Sequence, residues 1–289
     1  MRPLLVSLIV LVSAGFAQQP QPQQPSPAPA TPQQSFSPSP DIASELQKTL
    51  ALVTVPIRIF CDQSQIATAT GFFYGAADRN QLFLITNRHV VIQEPQPGQS
   101  EPRLYPDHLE LRLHTNDKDL KQSEDVRVPL YANKQKLWRE IDPSIDVVAI
   151  DVKSIVTAPK YDIGLFTREN LLPNDIFVSI GDALVVIGYP LGLSDTLFNL
   201  PIAREGTVAS AFPVPFQGKR FFLVDAKLHP GTSGSPVITR PSQFVLQGGV
   251  PKFATKGAVT YLVGINSGSL GDLNLNSVWF ADIILELTK

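Results

Sequence analysis

A single cysteine, Cys61, stands among 289 residues, so no intramolecular disulfide can form and the fold must rest on its core. Charge of one sign is not in excess either: 24 Lys and Arg face 26 Asp and Glu, for a formal net charge of −2. Without a basic stripe, nucleic-acid binding has no electrostatic support. No apolar run reaches the roughly 20 residues that a membrane-spanning helix needs. Histidine is scarce, and none of His89, His108, His114 and His229 has a metal-like spacing to a matching partner, so no metal site is expected. Helical periods are few.

What is present divides the chain into three. Residues 1–17 have the form of an export signal: Arg2 and the amino terminus are positive, Leu4 to Val12 are apolar apart from Ser7, and Gly15 and Ala17 precede a cleavage point before Gln18. This implies export to the periplasm or the cell exterior, with no stable membrane insertion after cleavage. Residues 18–40 are almost entirely Gln, Pro, Ser and Ala. They offer too little apolar surface to offset ordering entropy and read as a disordered, semi-rigid tether. The folded domain is expected over residues 41–289, and a hydrophobic content of 43% supports a real core.

After a short helix expected around Ala43–Leu50, short apolar and β-branched runs follow one another, punctuated by Gly, Pro, Asn and Asp. His108–Thr115 alternates with period two: Leu109, Leu111 and Leu113 on one face, Glu110, Arg112 and His114 on the other. His108 and His114 are therefore expected to flank solvent. Other strands are expected at Val53–Phe60, Ala67–Tyr74, Leu82–Thr86, Val147–Val152, Ala183–Gly188, Gly206–Ser210, Phe221–Val224, Pro236–Thr239, Gly257–Ile265 and Val278–Phe280. This pattern indicates an all-β barrel or sandwich class. Only Ala281–Leu287 reads as a closing helix. Gln93–Arg103 and Lys134–Pro143 read as surface insertions.

Three segments bear chemistry. In Gly231-Thr232-Ser233-Gly234-Ser235-Pro236, glycines allow a tight turn whose N–H groups can converge on one anion. Alone it reads equally as an ordinary turn. His89 follows the apolar run Leu84–Ile85 and precedes Val90 and Val91; histidine is the natural general base near neutral pH, although alone it reads as structural. Asp146 begins the apolar run Val147–Ile150, where a carboxylate is costly to bury unless paired; alone it reads as a solvated strand end.

Together they run His89, Asp146, Ser233, and the chain resembles the chymotrypsin-like serine peptidases, above all the protease domain of the bacterial HtrA/Deg group. Gly71-Phe72-Phe73, Val186 to Gly192, Glu205 to Ser210, Asp225-Ala226 and Val263 to Ser267 are similar to segments of that family. The resemblance implies two packed six-stranded β-barrels, about 50–170 and 180–280, with a boundary near 167–182 and a short C-terminal helix. It implies a serine endopeptidase acting on polypeptides without a cofactor. Ser233 would be the nucleophile, His89 the base and Asp146 its orienting acid, with Asp142 and Asp151 as competitors. Gly231 and Ser233 N–H groups would form the oxyanion hole. Leu228, His229, Ile265, Asn266 and Ser267 would line the substrate, Leu228 favouring small or medium apolar side chains.

Departures from the family pattern are Arg88, read as a surface change, Ser235 in place of glycine, and His229-Pro230 before the oxyanion turn. The residues after Ser233 are needed to complete the second barrel, so a PDZ module is not expected. Two rival readings use the same residues: an inactive protease-fold binding protein, and an esterase.

Overall fold

The computed structural model describes residues 45–92, 105–116, 120–157, 159–255 and 257–289. The signal, the tether and the Gln93–Arg103 insertion lie outside the described residues.

The N-terminal half contains β1 (Thr54–Cys61), β2 (Ser64–Ala76), β3 (Gln81–Thr86), β4 (His108–His114), β5 (Ser123–Pro129), β6 (Tyr131–Ala132), β7 (Gln135–Lys136), β8 (Trp138–Arg139) and β9 (Val148–Asp151). Seven of these form one sheet in the order β5-β4-β1-β2-β3-β9-β8. The C-terminal half contains β10 (Ala183–Gly188), β11 (Ile202–Val208), β12 (Phe221–Asp225), β13 (Pro236–Thr239), β14 (Phe244–Gln247), β15 (Val250–Phe253), β16 (Leu262–Ser269) and β17 (Leu275–Phe280). Six of them close into a barrel, β10-β11-β12-β17-β16-β13, while β14 and β15 form a separate hairpin. Helices are short: α1 (Glu45–Leu52), α2 (Arg88–Val91) and α3 (Ile283–Leu287).

Sequence pattern explains which strands sit deepest. In β3, Leu82 and Leu84 enter the core of the first sheet with Val55, Ile57, Leu109 and Leu111. Phe83 and Ile85, on the opposite face, join Phe72, Val147, Ile238, Ile265 and Trp279 in a second core between the halves. A strand buried on both faces reads as a continuous apolar run rather than an alternating one. The barrel has its own core around Leu184, Val186, Phe222, Val224 and Val237. In α3, Ile283, Ile284 and Leu287 are buried against the middle core.

Three expectations change. The first half has seven strands in its sheet where six were expected, and closure into a second barrel is not seen among the described residues. The extra strand comes from the segment expected as a surface insertion: Trp138 and Arg139 pair with Ile150 and Ala149 of β9. Trp138 drives this by burying its ring, which meets Tyr131 edge-on at 5.3 Å. His108 and His114 are buried rather than solvent-facing. Each satisfies a ring nitrogen locally: His108 Nδ1 lies 2.7 Å from Asp107 Oδ2, and His114 Nδ1 lies 3.2 Å from the Leu120 carbonyl. His108 also stacks on Phe60 at 4.9 Å, an apolar contact that hydropathy does not assign to histidine.

Candidate active site

The β3 strand delivers the chain to Asn87, which is extended, and α2 begins at once. Four residues cannot hold a helix by themselves, because nucleation costs more than one turn returns. Tertiary contacts hold it: Val90 and Val91 are fully buried, and Asn87 Nδ2 donates to the Asp146 carbonyl at 2.7 Å. His89 is thereby fixed against Asp146. Its backbone N–H donates to Asp146 Oδ1 at 2.8 Å, and its ring Nδ1 lies 2.7 Å from Oδ2. A carboxylate on Nδ1 selects the tautomer protonated there and leaves Nε2 as the free acceptor. Oδ2 also accepts from Ser267 Oγ at 2.6 Å. Burial pushes the Asp146 carboxyl up, but the hydrogen bonds and charge of His89 and the Ser267 hydroxyl together hold it below the ordinary carboxylate value.

The Ser233 turn depends on two glycines. Gly231 has φ +93°, and a Cβ there would lie 2.6 Å from the Tyr189 carbonyl oxygen. Gly234 has φ +84°, and its Cβ would lie 2.1 Å from the Thr70 carbonyl oxygen. Neither conformation nor space admits a side chain. Buried Thr70 ties the turn to the first half: its N–H donates to the Ser233 carbonyl at 2.9 Å and its Oγ1 to the Gly231 carbonyl at 2.7 Å. From the barrel side, Asn266 Nδ2 donates to the Thr232 carbonyl at 3.0 Å. The Leu191 N–H donates to the Pro230 carbonyl at 2.6 Å. Among the described residues no protein acceptor takes the Gly231 or Ser233 N–H.

Ser233 Oγ donates to the Ser267 carbonyl at 3.2 Å. Among the described residues no hydrogen bond joins it to His89. Ser267 therefore touches both ends of the constellation, through its hydroxyl to Asp146 and its carbonyl to Ser233. No sequence signal pointed to this double role, which spans 121 residues to Asp146.

Other expected site residues take different places. Ile265 is fully buried in the core between the halves, and the buried Asn266 spends its amide on the Ser233 turn. Leu228 is half-buried against the barrel core. The His229 carbonyl accepts a hydrogen bond from Thr232 Oγ1 at 2.7 Å, bracing the Ser233 turn. Asp142 caps its own turn by accepting from Ser144, and Asp151 accepts the Lys153 N–H, so neither is bonded to His89. Arg88 is not a surface change. Its Nε donates to Glu140 Oε2 at 3.0 Å, with side chains only 11% and 15% exposed, and Glu140 directly follows the added strand β8. Ser235 is buried where its Oγ fills the space opposite Gly188. Among the described residues no cluster of His, Cys, Asp and Glu has metal-ligating geometry, and no helix is long and apolar enough to cross a membrane.

Residues 69–245 match the family model of the trypsin-like peptidase domain. A Synechocystis sp. protein that carries the serine-protease name HhoB is 31% identical over 105 residues. That match covers 36% of this chain and only 23% of the Synechocystis protein. Among solved structures, the serine endoprotease from Yersinia pestis superposes with a TM-score of 0.50 at 13% identity, over 85% of this chain and 65% of that one. At that identity the likeness is one of fold. The active form of the Rv3671c protease from M. tuberculosis gives a TM-score of 0.46 at 16% identity, over 94% and 92% of the two chains.

Proposed function

The chain belongs to the trypsin-like peptidase domain family, and from that membership we propose that it is an exported serine endopeptidase cutting polypeptides through an acyl-enzyme. The observation that carries the reading is the 2.7 Å pairing of His89 Nδ1 with Asp146 Oδ2, whose carboxylate Ser267 links to Ser233 on its glycine turn.

In this reading Ser233 Oγ leaves the Ser267 carbonyl by rotation about χ1 and turns to His89 Nε2. As Oγ attacks the scissile carbonyl carbon, its proton passes to Nε2, and the carbonyl π electrons move onto oxygen. The Gly231 and Ser233 N–H groups stabilise that oxyanion; losing one such donor typically costs about 10²–10³ in rate. Asp146 stabilises the imidazolium and keeps Nδ1 protonated. The oxyanion collapses, the C–N bond breaks, and His89 gives its proton to the leaving amine. Water then repeats the sequence to release the acid and restore Ser233.

Export rests on residues 1–17, with cleavage before Gln18. Amino-terminal sequencing of protein recovered from the periplasm or medium should begin at Gln18; recovery of an uncleaved cytoplasmic chain contradicts export. For the chemistry, a fluorophosphonate probe should label the wild-type protein and not Ser233→Ala, and only the wild type should degrade casein. An unlabelled wild type contradicts the hydrolase reading. Labelling with turnover of p-nitrophenyl esters but not of casein assigns the site to ester hydrolysis instead.

A further inference from the structure

Two features of the sequence fall outside the reaction as described: the arginine directly before His89, and the extra strand that widens the first sheet. The structure joins them. Arg88 opens the four-residue turn that carries His89, and its Nε donates to Glu140 Oε2 at 3.0 Å. Glu140 directly follows Arg139, the last residue of β8, and it is gathered from three sides. Lys136 Nζ donates to Oε1 at 2.6 Å, Trp138 Nε1 to Oε2 at 3.4 Å, and Arg88 completes the set. The strand holding it is itself anchored. Trp138 and Arg139 pair with β9, the strand that follows Asp146, and the Arg139 guanidinium lies over the Phe83 ring at 4.9 Å. Burial pushes the Glu140 carboxyl up, yet its hydrogen bonds from Lys136, Trp138 and Arg88 outweigh this and hold it below the ordinary value, so it is ionised at neutral pH.

We propose that Glu140 is a positioning residue for catalysis, acting through Arg88 to fix the turn that carries His89 and to neutralise the guanidinium beside the general base. The inference rests on the serine-peptidase reading above. Two physical effects make it more than a structural tie. A four-residue turn has no internal stiffness, so the direction of its second residue follows its anchors. Loss of the Glu140 charge would also raise the positive potential around the turn and oppose the charge that His89 must take up in the transition state. Asp142 feels the Arg88 charge too, but is itself tied to Ser144.

The test uses the full chain and compares kcat and KM against pH for the wild type, Glu140→Gln and the double variant Arg88→Gln/Glu140→Gln. In Glu140→Gln, kcat should fall about 10-fold with KM little changed, as expected for a displaced base, and the acid limb of kcat/KM should move to lower pH. The double variant removes the guanidinium together with the carboxylate and so keeps the net charge of the pair, and it remains informative if Glu140→Gln does not fold. Its acid limb should return to the wild-type position while kcat stays several-fold low, since the anchor is still missing. An acid limb that does not move in folded Glu140→Gln, or a double variant with wild-type kcat, overturns the proposal. Failure of the underlying reading is distinct: there the wild type itself is not labelled at Ser233 by a fluorophosphonate. Normal wild-type labelling with an unchanged Glu140→Gln profile discards the positioning role alone.

Discussion

Ser267 donates its hydroxyl to Asp146 Oδ2 at 2.6 Å, the same oxygen that faces His89 Nδ1 at 2.7 Å. One carboxylate oxygen thus takes both groups, and the Ser267 carbonyl simultaneously holds Ser233 Oγ. Replacing Ser267 with Ala removes a charge-assisted donor and keeps the backbone carbonyl. We expect kcat to fall about 10-fold or more with KM nearly unchanged, in line with the roughly 1.5–3 kcal/mol that such hydrogen bonds are worth. Equal kcat in both proteins would show that His89 and Asp146 hold their geometry without it.

Asp146→Asn keeps the shape of the site and changes its hydrogen-bond logic. An amide nitrogen facing Nδ1 selects the wrong histidine tautomer. We expect kcat to drop about 10³–10⁴-fold with the thermal midpoint little changed. A loss of less than about 10-fold would point to another acid; Asp142 and Asp151 are then the variants to make.

Gly188 and Ser235 fill one space between them. A Cβ on Gly188 would lie 2.1 Å from Ser235 Oγ and 2.9 Å from Thr70 Oγ1. Gly188→Ala should therefore destabilise the fold by about 1–3 kcal/mol, the usual cost of overpacking. Ser235→Gly in the same chain should recover part of that loss, the remainder reflecting Thr70. Denaturant unfolding of the single and double variants measures the coupling, and strictly additive effects would refute the shared space.

Acid should unfold the protein through its held carboxylates. Asp146 and Glu140 have folded values below their unfolded ones. Their contribution is present above the ordinary carboxylate value of about 4 and is lost as pH falls through the depressed folded values. Stability should be insensitive to these two groups from about pH 5 upward and decline below about pH 4. Removing the charge in Asp146→Asn should flatten that decline. Parallel stability curves for variant and wild type would contradict the linkage.

Much of the fold was legible because strand periodicity is a local property. Leu109, Leu111 and Leu113 announce one buried face of β4, and the unbroken Leu82-Phe83-Leu84-Ile85 announces a strand covered on both sides. Side-chain pairing across the fold is not local. Arg88 read as exposed because arginine usually is, and only the strand anchored by buried Trp138 brings Glu140 to it as an ion-pair partner. His108 and His114 followed the polar phase of β4 by residue type, yet Phe60 and Asp107 supply the contacts that bury the first, and the Leu120 carbonyl receives the second.

By itself the sequence determined the all-β pattern, the glycine turn around Ser233, and the order of His89, Asp146 and Ser233 along the chain. Each of these depends on residue type and on neighbours a few positions away. The tertiary structure alone decided that His89 and Asp146 meet, that Ser267 touches both Asp146 and Ser233, and that Arg88 pairs with Glu140. Those contacts depend on how two sheets bring together segments far apart in the chain, and no spacing between residues encodes that distance.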